Sequence, residues 1–389
     1  MIHYLDNSAT TEPSTIAVRA AEDALRIYGN PSSVHALGVE AKRLLESSRA
    51  ALAECIGARR AGREYGRVVF TSSGTESNCT AILGYAEAKN RTRLGTPVII
   101  ITDGEHPSVE RCAERLCEKG WQVERVPTRG GELDFDFLSR VLSENKNVAL
   151  AALMLVNNET GALYDVKRAA AMIKAAHPAC HVHCDAVQGF MKTKFSVTSL
   201  GVDSLTVSAH KIHAVRGAAA LWLSDDTVKK KNIVPIMPGG GQEGTLRSGT
   251  ENTAGIAAFA AAARDAREHF EENIIRVAAL RERLLSSLPD EITIKRPAKY
   301  VEHIVNITLP RIKSETMLNF LSAKEIYVSA GSACSASSGR LSHALSAFGC
   351  TNEEIDSSLR VSLSHTNTEE DIDALLVALN DGTSTLARF

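Results

Sequence analysis

Short apolar runs of strand length recur along the first part of the chain, at Val68–Thr71, Pro97–Thr102, Gln122–Val126, Val148–Val156, His181–Asp185, Leu205–Val207 and Gly217–Leu223. Stretches with apolar residues at helical spacing lie between or before several of them: Pro13–Tyr28, Val39–Ile56, Ser108–Lys119 and Val166–Ala176. The alternation predicts an α/β fold, a mostly parallel seven-stranded sheet between helices. In such sheets ligands collect outside the carboxyl ends of the strands. His106, Asn158, Asp185 and Lys211 all follow the end of a predicted strand.

Beyond these runs the pattern changes. A long helical region from Thr253 to Leu288 stops at Pro289 and is expected to bridge two domains. After it come Val301–Leu309, a strand at Ile326–Ser329, helices near Thr316 and His343, and Ser358–Ser362, which predict a smaller α+β domain. The 389 residues exceed what one core serves, so we expect an N-terminal arm over 1–14, a large domain over 15–258 and a small domain over 259–389.

Composition narrows the function classes. A net charge of −2 argues against nucleic acid or an anionic membrane as the main partner. No apolar run reaches membrane-spanning length and the start lacks a signal peptide, so a cytoplasmic protein is expected. The eight cysteines include no Cys-x-x-Cys pair and are expected to be reduced, mostly as small core residues. Cys334 differs, because it sits in a run of small residues, Val328-Ser-Ala-Gly-Ser-Ala-Cys-Ser-Ala-Ser-Ser-Gly339.

The chemistry centres on Lys211, where the Ser204–Ser208 region gives way to Ala-His-Lys. A lysine at such a place can lose water and meet other cations, which favours the neutral, nucleophilic amine. Upstream, Asp185 stands in Asp-Ala-Val-Gln188. A lysine to hold an aldehyde as an imine and an acid to keep a pyridine nitrogen protonated are the two needs of pyridoxal phosphate. Ser72-Ser-Gly-Thr-Glu-Ser-Asn78, between a strand and a helix, offers free backbone N–H groups and a positive dipole end, either as a phosphate cradle or as an ordinary helix cap. Cys180-His-Val-His-Cys-Asp185 resembles a metal cluster, but on a strand its histidines and Asp185 face away from its cysteines, so no metal is expected. Pro238-Gly-Gly-Gly-Gln-Glu-Gly244 fits the spacing of a dinucleotide loop without its preceding strand or ribose acid, and is set aside.

From Tyr4-Leu-Asp-Asn-Ser-Ala-Thr-Thr11 to Ser358-Leu-Arg-Val-Ser362 the chain resembles the class V aminotransferases of fold-type I, and within them the cysteine desulfurases of the NifS/IscS type. The resemblance implies pyridoxal 5'-phosphate held by Lys211, with Asp185 at the pyridine nitrogen, Gln188 and Asn158 at the ring oxygen, and His106 stacked on the ring as a proton carrier. It places the phosphate with Gly74, Thr75, Ser208 and His210, and with Thr250 from the other subunit of a homodimer. Arg360 would bind the carboxylate of L-cysteine beside Asn158. Cys334, in Gly-Ser-Ala-Cys-Ser-Ala, would attack the substrate's sulfur, leaving a persulfide on the enzyme and alanine as product. The sulfur would pass to an acceptor or scaffold protein, for iron–sulfur cluster or other thio-cofactor assembly. Selenocysteine lyase, a class V aminotransferase and a non-catalytic sulfur-relay protein are the other readings. One departure from the family pattern is His-Ala-Val-Arg-Gly after Lys211, where His/Tyr-Gly-Pro-Lys-Gly is common; another is the chain's stop soon after its last helix.

Overall fold

The computed structural model describes residues 1–60, 63–90, 95–331 and 341–389. Seven strands form the large sheet: β1 Arg67–Thr71, β2 Val98–Thr102, β3 Gln122–Val126, β4 Val148–Met154, β5 His181–Asp185, β6 Ser204–Ser208 and β7 Ala219–Leu223. Their order is β1-β7-β6-β5-β4-β2-β3, and every pairing is parallel except those of β7 with β1 and β6. The sheet is buried on both faces, which is why β2 and β4 read as unbroken apolar runs rather than as alternating ones. The period of two survives inside them: Phe70 and Ile100 enter one core with Leu153, Val182 and Phe190, while Val69, Ile99 and Ile101 enter another with Ile82, Leu116 and Trp121.

The first strands run outward through β2 to β3, and the chain then returns to the other side of β2 with β4. The strand order therefore reverses between β2 and β4, and a crevice opens outside their carboxyl ends.

A third core, with Leu5, Leu280, Ile307, Met317, Val361 and Leu375, surrounds a three-stranded antiparallel sheet of β8 Thr293–Ile294, β9 Ile304–Thr308 and β10 Ser358–Ser362. The N-terminal segment joins the two regions. His3–Tyr4 pairs in parallel with Ile326–Tyr327 and Asp6 bridges to Ser362, after which the Thr11 N–H donates to the His210 carbonyl (2.9 Å) just past β6.

The long helix expected over 253–288 is two helices, Thr253–Glu268 and Phe270–Ser286. His269 between them takes φ −98° and ψ 17°, and its ring Nδ1 lies 3.0 Å from the Asp265 carbonyl. A helix at Phe135–Glu144, N-capped by Asp134, was not foreseen. Among the described residues no helix is long and apolar enough to cross a membrane.

Candidate active site

A cavity of about 290 Å³ opens at the carboxyl ends of β4, β5 and β6 and is lined by Gly74, Thr75, His106, Asn158, Asp185, Gln188, Ser208, His210, Lys211 and Arg360. Ten residues expected at the site thus meet in one place, although they are spread from 74 to 360 in the chain. Thr250 does not line it and is exposed. Cys334 lies outside the described residues.

Asp185 ends β5 almost buried. Its Oδ2 accepts from Asn78 Nδ2 (2.7 Å) and its Oδ1 from the Val187 N–H (3.0 Å). A carboxylate can only accept, and this fixes every proton behind it. With its amide nitrogen on Asp185, Asn78 turns Oδ1 toward His183 Nε2 (3.0 Å), which must therefore carry hydrogen. His183 Nδ1 then accepts from the Ser204 hydroxyl (2.8 Å), and the same oxygen accepts from His181 Nε2 (2.8 Å). The chain of donors runs in one direction, from His181 to Asp185. It requires neutral imidazoles, and burial pushes both histidines down to about 3. This strand thus carries a proton-ordered polar chain. The histidines and Asp185 share one face, as the alternation implied, and among the described residues no group of three or more metal-ligating side chains is found.

Asn78 has a second branch. Its Nδ2 also donates to Ser108 Oγ (2.9 Å), whose hydroxyl donates to His106 Nδ1 (2.8 Å). The Ser108 N–H points at the same nitrogen (3.1 Å), because His106 is the N-cap of the helix Pro107–Glu118. His106 is thereby fixed with its proton on Nε2, and burial holds its pKa below the usual imidazole value.

The segment 72–78, expected as a phosphate cradle or a helix cap, leads into the N-terminus of the helix Gly74–Asn90. A Cβ on Gly74 would stand 3.1 Å from Val187 Cγ2 and 3.8 Å from Ser208 Cβ, so glycine lets the helix end approach β6. Ser208 Oγ beside it is buried and has no hydrogen-bond partner among the described residues. Glu76, held by Arg247 (2.9 Å) and by Ser72, anchors the segment that leads to Thr250.

Lys211 follows β6 in a single turn of 3-10 helix, Ala209–Lys211, and donates through Nζ to the carbonyls of Ser8 (2.5 Å) and Ala9 (2.8 Å). Gln188 Nε2 donates to the same Ser8 carbonyl (2.9 Å), while its Oε1 has no partner among the described residues. The arm therefore crosses directly over the lysine and the glutamine. Its hold is reinforced in the departure after Lys211, where His213 at φ 62° contacts the Glu12 carbonyl through Nδ1 (2.9 Å) and Ser364 through Nε2 (2.6 Å).

Arg360, on β10, is 2 % exposed, so its charge must be met by protein or ligand. Nη2 donates to Asp6 (2.8 Å) and Nη1 to the Asn158 carbonyl (2.9 Å), while Nε has no partner among the described residues. Asn158 is presented by its neighbour: Asn157 Oδ1 accepts from the N–H groups of Glu159 (3.0 Å) and Thr160 (2.9 Å), bending the turn after β4.

Asn78, Ser108 and the arm carbonyls were not identified from sequence. A signal for Asn78 existed, because it lies four residues after Gly74 and so on the same helix face.

The residues suit pyridoxal 5'-phosphate: a helix N-terminus with an orphaned serine hydroxyl for phosphate, a carboxylate with open lone pairs for a pyridinium, and a lysine for an aldehyde.

Comparison with known proteins gives the same result. The model of the family "Aminotransferase class-V" matches residues 3–375. A NifS/IcsS protein homolog of Lactobacillus delbrueckii is 35% identical over 385 residues, 97% of this chain and 96% of that protein. Cysteine desulfurase IscS 1 of Archaeoglobus fulgidus is 33% identical over 90% of this chain and 89% of its own length, and cysteine desulfurase NifS of Azotobacter vinelandii 32% over 96% and 90%. A solved NifS-like protein superposes with a TM-score of 0.90 at 31% identity, covering 99% of this chain and 100% of that one. The chain belongs to the class V aminotransferase family, as a member of its NifS/IscS-like cysteine desulfurase group.

Proposed function

We propose that the protein uses pyridoxal 5'-phosphate to convert L-cysteine to L-alanine, delivering the sulfur to its own Cys334 as a persulfide. The observation that carries this reading is the convergence of Lys211, Asp185, Gln188, His106, Ser208 and Arg360 on one cavity.

Bound there, the cofactor would supply an electron sink for the bonds at the substrate's α-carbon. Gly74, Thr75, Ser208 and His210 would hold its phosphate, Asp185 its pyridine nitrogen, and Gln188 and Asn158 its ring oxygen. Arg360 binds the substrate carboxylate through its guanidinium edge, with Asp6 and the Asn158 carbonyl fixing the plane of the fork. Lys211, released from the Ser8 and Ala9 carbonyls, and His106, with its proton on Nε2, are the groups placed to move protons at the substrate's carbons. The Cys334 thiolate attacks the substrate's sulfur: an S–S bond forms, the S–Cβ bond breaks with its electron pair left on the carbon side, and a proton completes the methyl group of alanine.

The same reading makes the active unit a homodimer, in which Thr250 of the partner subunit meets the phosphate, and makes the persulfide a sulfur source for an acceptor protein in iron–sulfur cluster or other thio-cofactor assembly. Cys334→Ala tests the central step. The variant should bind pyridoxal phosphate and change its spectrum with L-cysteine, yet release no sulfide and carry no persulfide. Desulfuration of L-cysteine at the wild-type rate would overturn the assignment and favour a selenocysteine lyase or aminotransferase.

A further inference from the structure

On the other side of Lys211 lies a second chamber, of about 60 Å³, which shares that lysine with the first and is also lined by Lys192, His213, His303 and His365. Lys192 belongs to the tight turn that carries Gln188: its N–H donates to the Gly189 carbonyl (3.1 Å), itself tied back to Ala186 (3.0 Å). Met191 just before it is held at φ 56°, a backbone region that non-glycine residues rarely adopt and that persists where the surroundings impose it. The stem of Lys192 reaches the chamber surface, but its Nζ is buried and has no hydrogen-bond partner among the described residues.

Among the described residues, what faces this amine is cationic or neutral. Lys211 and Arg360 are the charges that act on it, both unfavourably. His213, His303 and His365 are held neutral, first of all by burial. The one acid of the chamber, Glu302, is 36% exposed at its rim and pairs with Arg281 (3.6 Å). A buried ammonium with no counter-ion is costly unless its charge has a use elsewhere.

We propose that Lys192 is a positioning residue whose buried charge favours the unprotonated form of the Lys211 nitrogen. The inference rests on the cofactor reading above. Repulsion between two cations acts on both partners, so the part of the Lys192 shift that comes from Lys211 is matched by an equal push on Lys211. Burial, then Lys211 and Arg360, bring Lys192 down to about 7, so its charge is present on the acid side of neutrality and fades above it.

The test is the pH titration of the visible absorbance of the cofactor-loaded protein, which reports the protonation of the nitrogen joining Lys211 to the cofactor and does not depend on turnover. Lys192→Met and Lys192→Gln, which remove the charge, should raise the midpoint by on the order of one pH unit, and Lys192→Arg, which keeps it, should leave the midpoint within a few tenths of wild type. An unchanged midpoint in the two neutral variants, or an equal rise in Lys192→Arg, would overturn the proposal. Wild-type protein that takes up no pyridoxal phosphate would instead refute the cofactor reading, so the two failures are distinct.

Discussion

On the sheet side of the cavity Asn78, Ser108, Asp185 and His106 satisfy one another's hydrogen bonds, whereas on the arm side Lys211 leans on two backbone carbonyls and Arg360 keeps a buried Nε without an acceptor. In the first arrangement the acceptor-only carboxylate of Asp185 sets the direction of each hydrogen bond behind it. The second rests on groups of the arm itself, the Ser8 and Ala9 carbonyls at Lys211 and the Asp6 carboxylate at Arg360. Under the proposed function the difference separates two tasks: the sheet wall would set the orientation and charge of the groups that hold the cofactor, and the arm wall would offer the contacts that exchange during reaction. Substitutions on the two sides should fail in different ways.

The largest effect is expected from Lys211→Ala on the arm side. It should remove the visible absorbance of a covalently held cofactor and lower turnover at least about a thousandfold, since neither the Ser8 nor the Ala9 carbonyl can replace an amine. Spectra of the purified variant after incubation with pyridoxal phosphate, set against L-cysteine turnover, check this. Retained linkage would mean that another lysine holds the cofactor.

Arg360→Lys comes next. A lysine keeps the charge and loses the fork, so the KM for L-cysteine should rise roughly ten- to a hundredfold while cofactor uptake stays as in wild type. Steady-state kinetics with a cofactor titration separates the two. On the sheet side the signature reverses: Asn78→Ala strips partners from Asp185 Oδ2 and His183 Nε2, each buried, and should cost about 1–3 kcal/mol of stability. Its mark is a lower Tm and weaker cofactor retention, with KM for L-cysteine little changed. A variant of wild-type Tm whose KM alone is raised would erase the distinction between the walls.

How much of this was legible in the sequence follows the same division. Strand ends announce themselves locally, so Asp185 at the end of β5 and Lys211 after β6 could be placed where strand-like runs give way to polar residues, and the seven strands of the sheet were all visible as strand-like runs. The roles of Gln188, Ser208 and Arg360 came from family resemblance rather than from any local pattern. Asn78 was hidden because its partner Asp185 lies 107 residues away and a hydrogen bond across that separation leaves no periodicity. The arm was legible as ordered, but its carbonyls were not, since a backbone acceptor has no residue type. The break at His269 was missed because the helical pattern continues on both sides of it.

The smallest expected effect lies at the back of the sheet wall, at Glu105, beside His106. Its Oε1 accepts from Thr102 Oγ1 (2.8 Å) and from the Met154 N–H (2.8 Å), while Oε2 is buried without a partner among the described residues. Burial, helped by the charge of Asp185, pushes its carboxyl up from 4.5 to about 8. Between those two values the folded protein binds a proton that the unfolded chain has released, so stability falls as pH rises through the interval, and above about 8 the whole penalty is present. Glu105→Gln keeps the Oε1 acceptor and cannot ionise. The variant should therefore melt close to wild type at about pH 5 and gain on it steadily, by roughly 2 °C or more at about pH 9. Thermal melts of both proteins across that range measure the difference directly. Parallel curves would show that Glu105 is already ionised across the range in the folded protein, its charge matched by a neighbour, and burial would then not set its protonation.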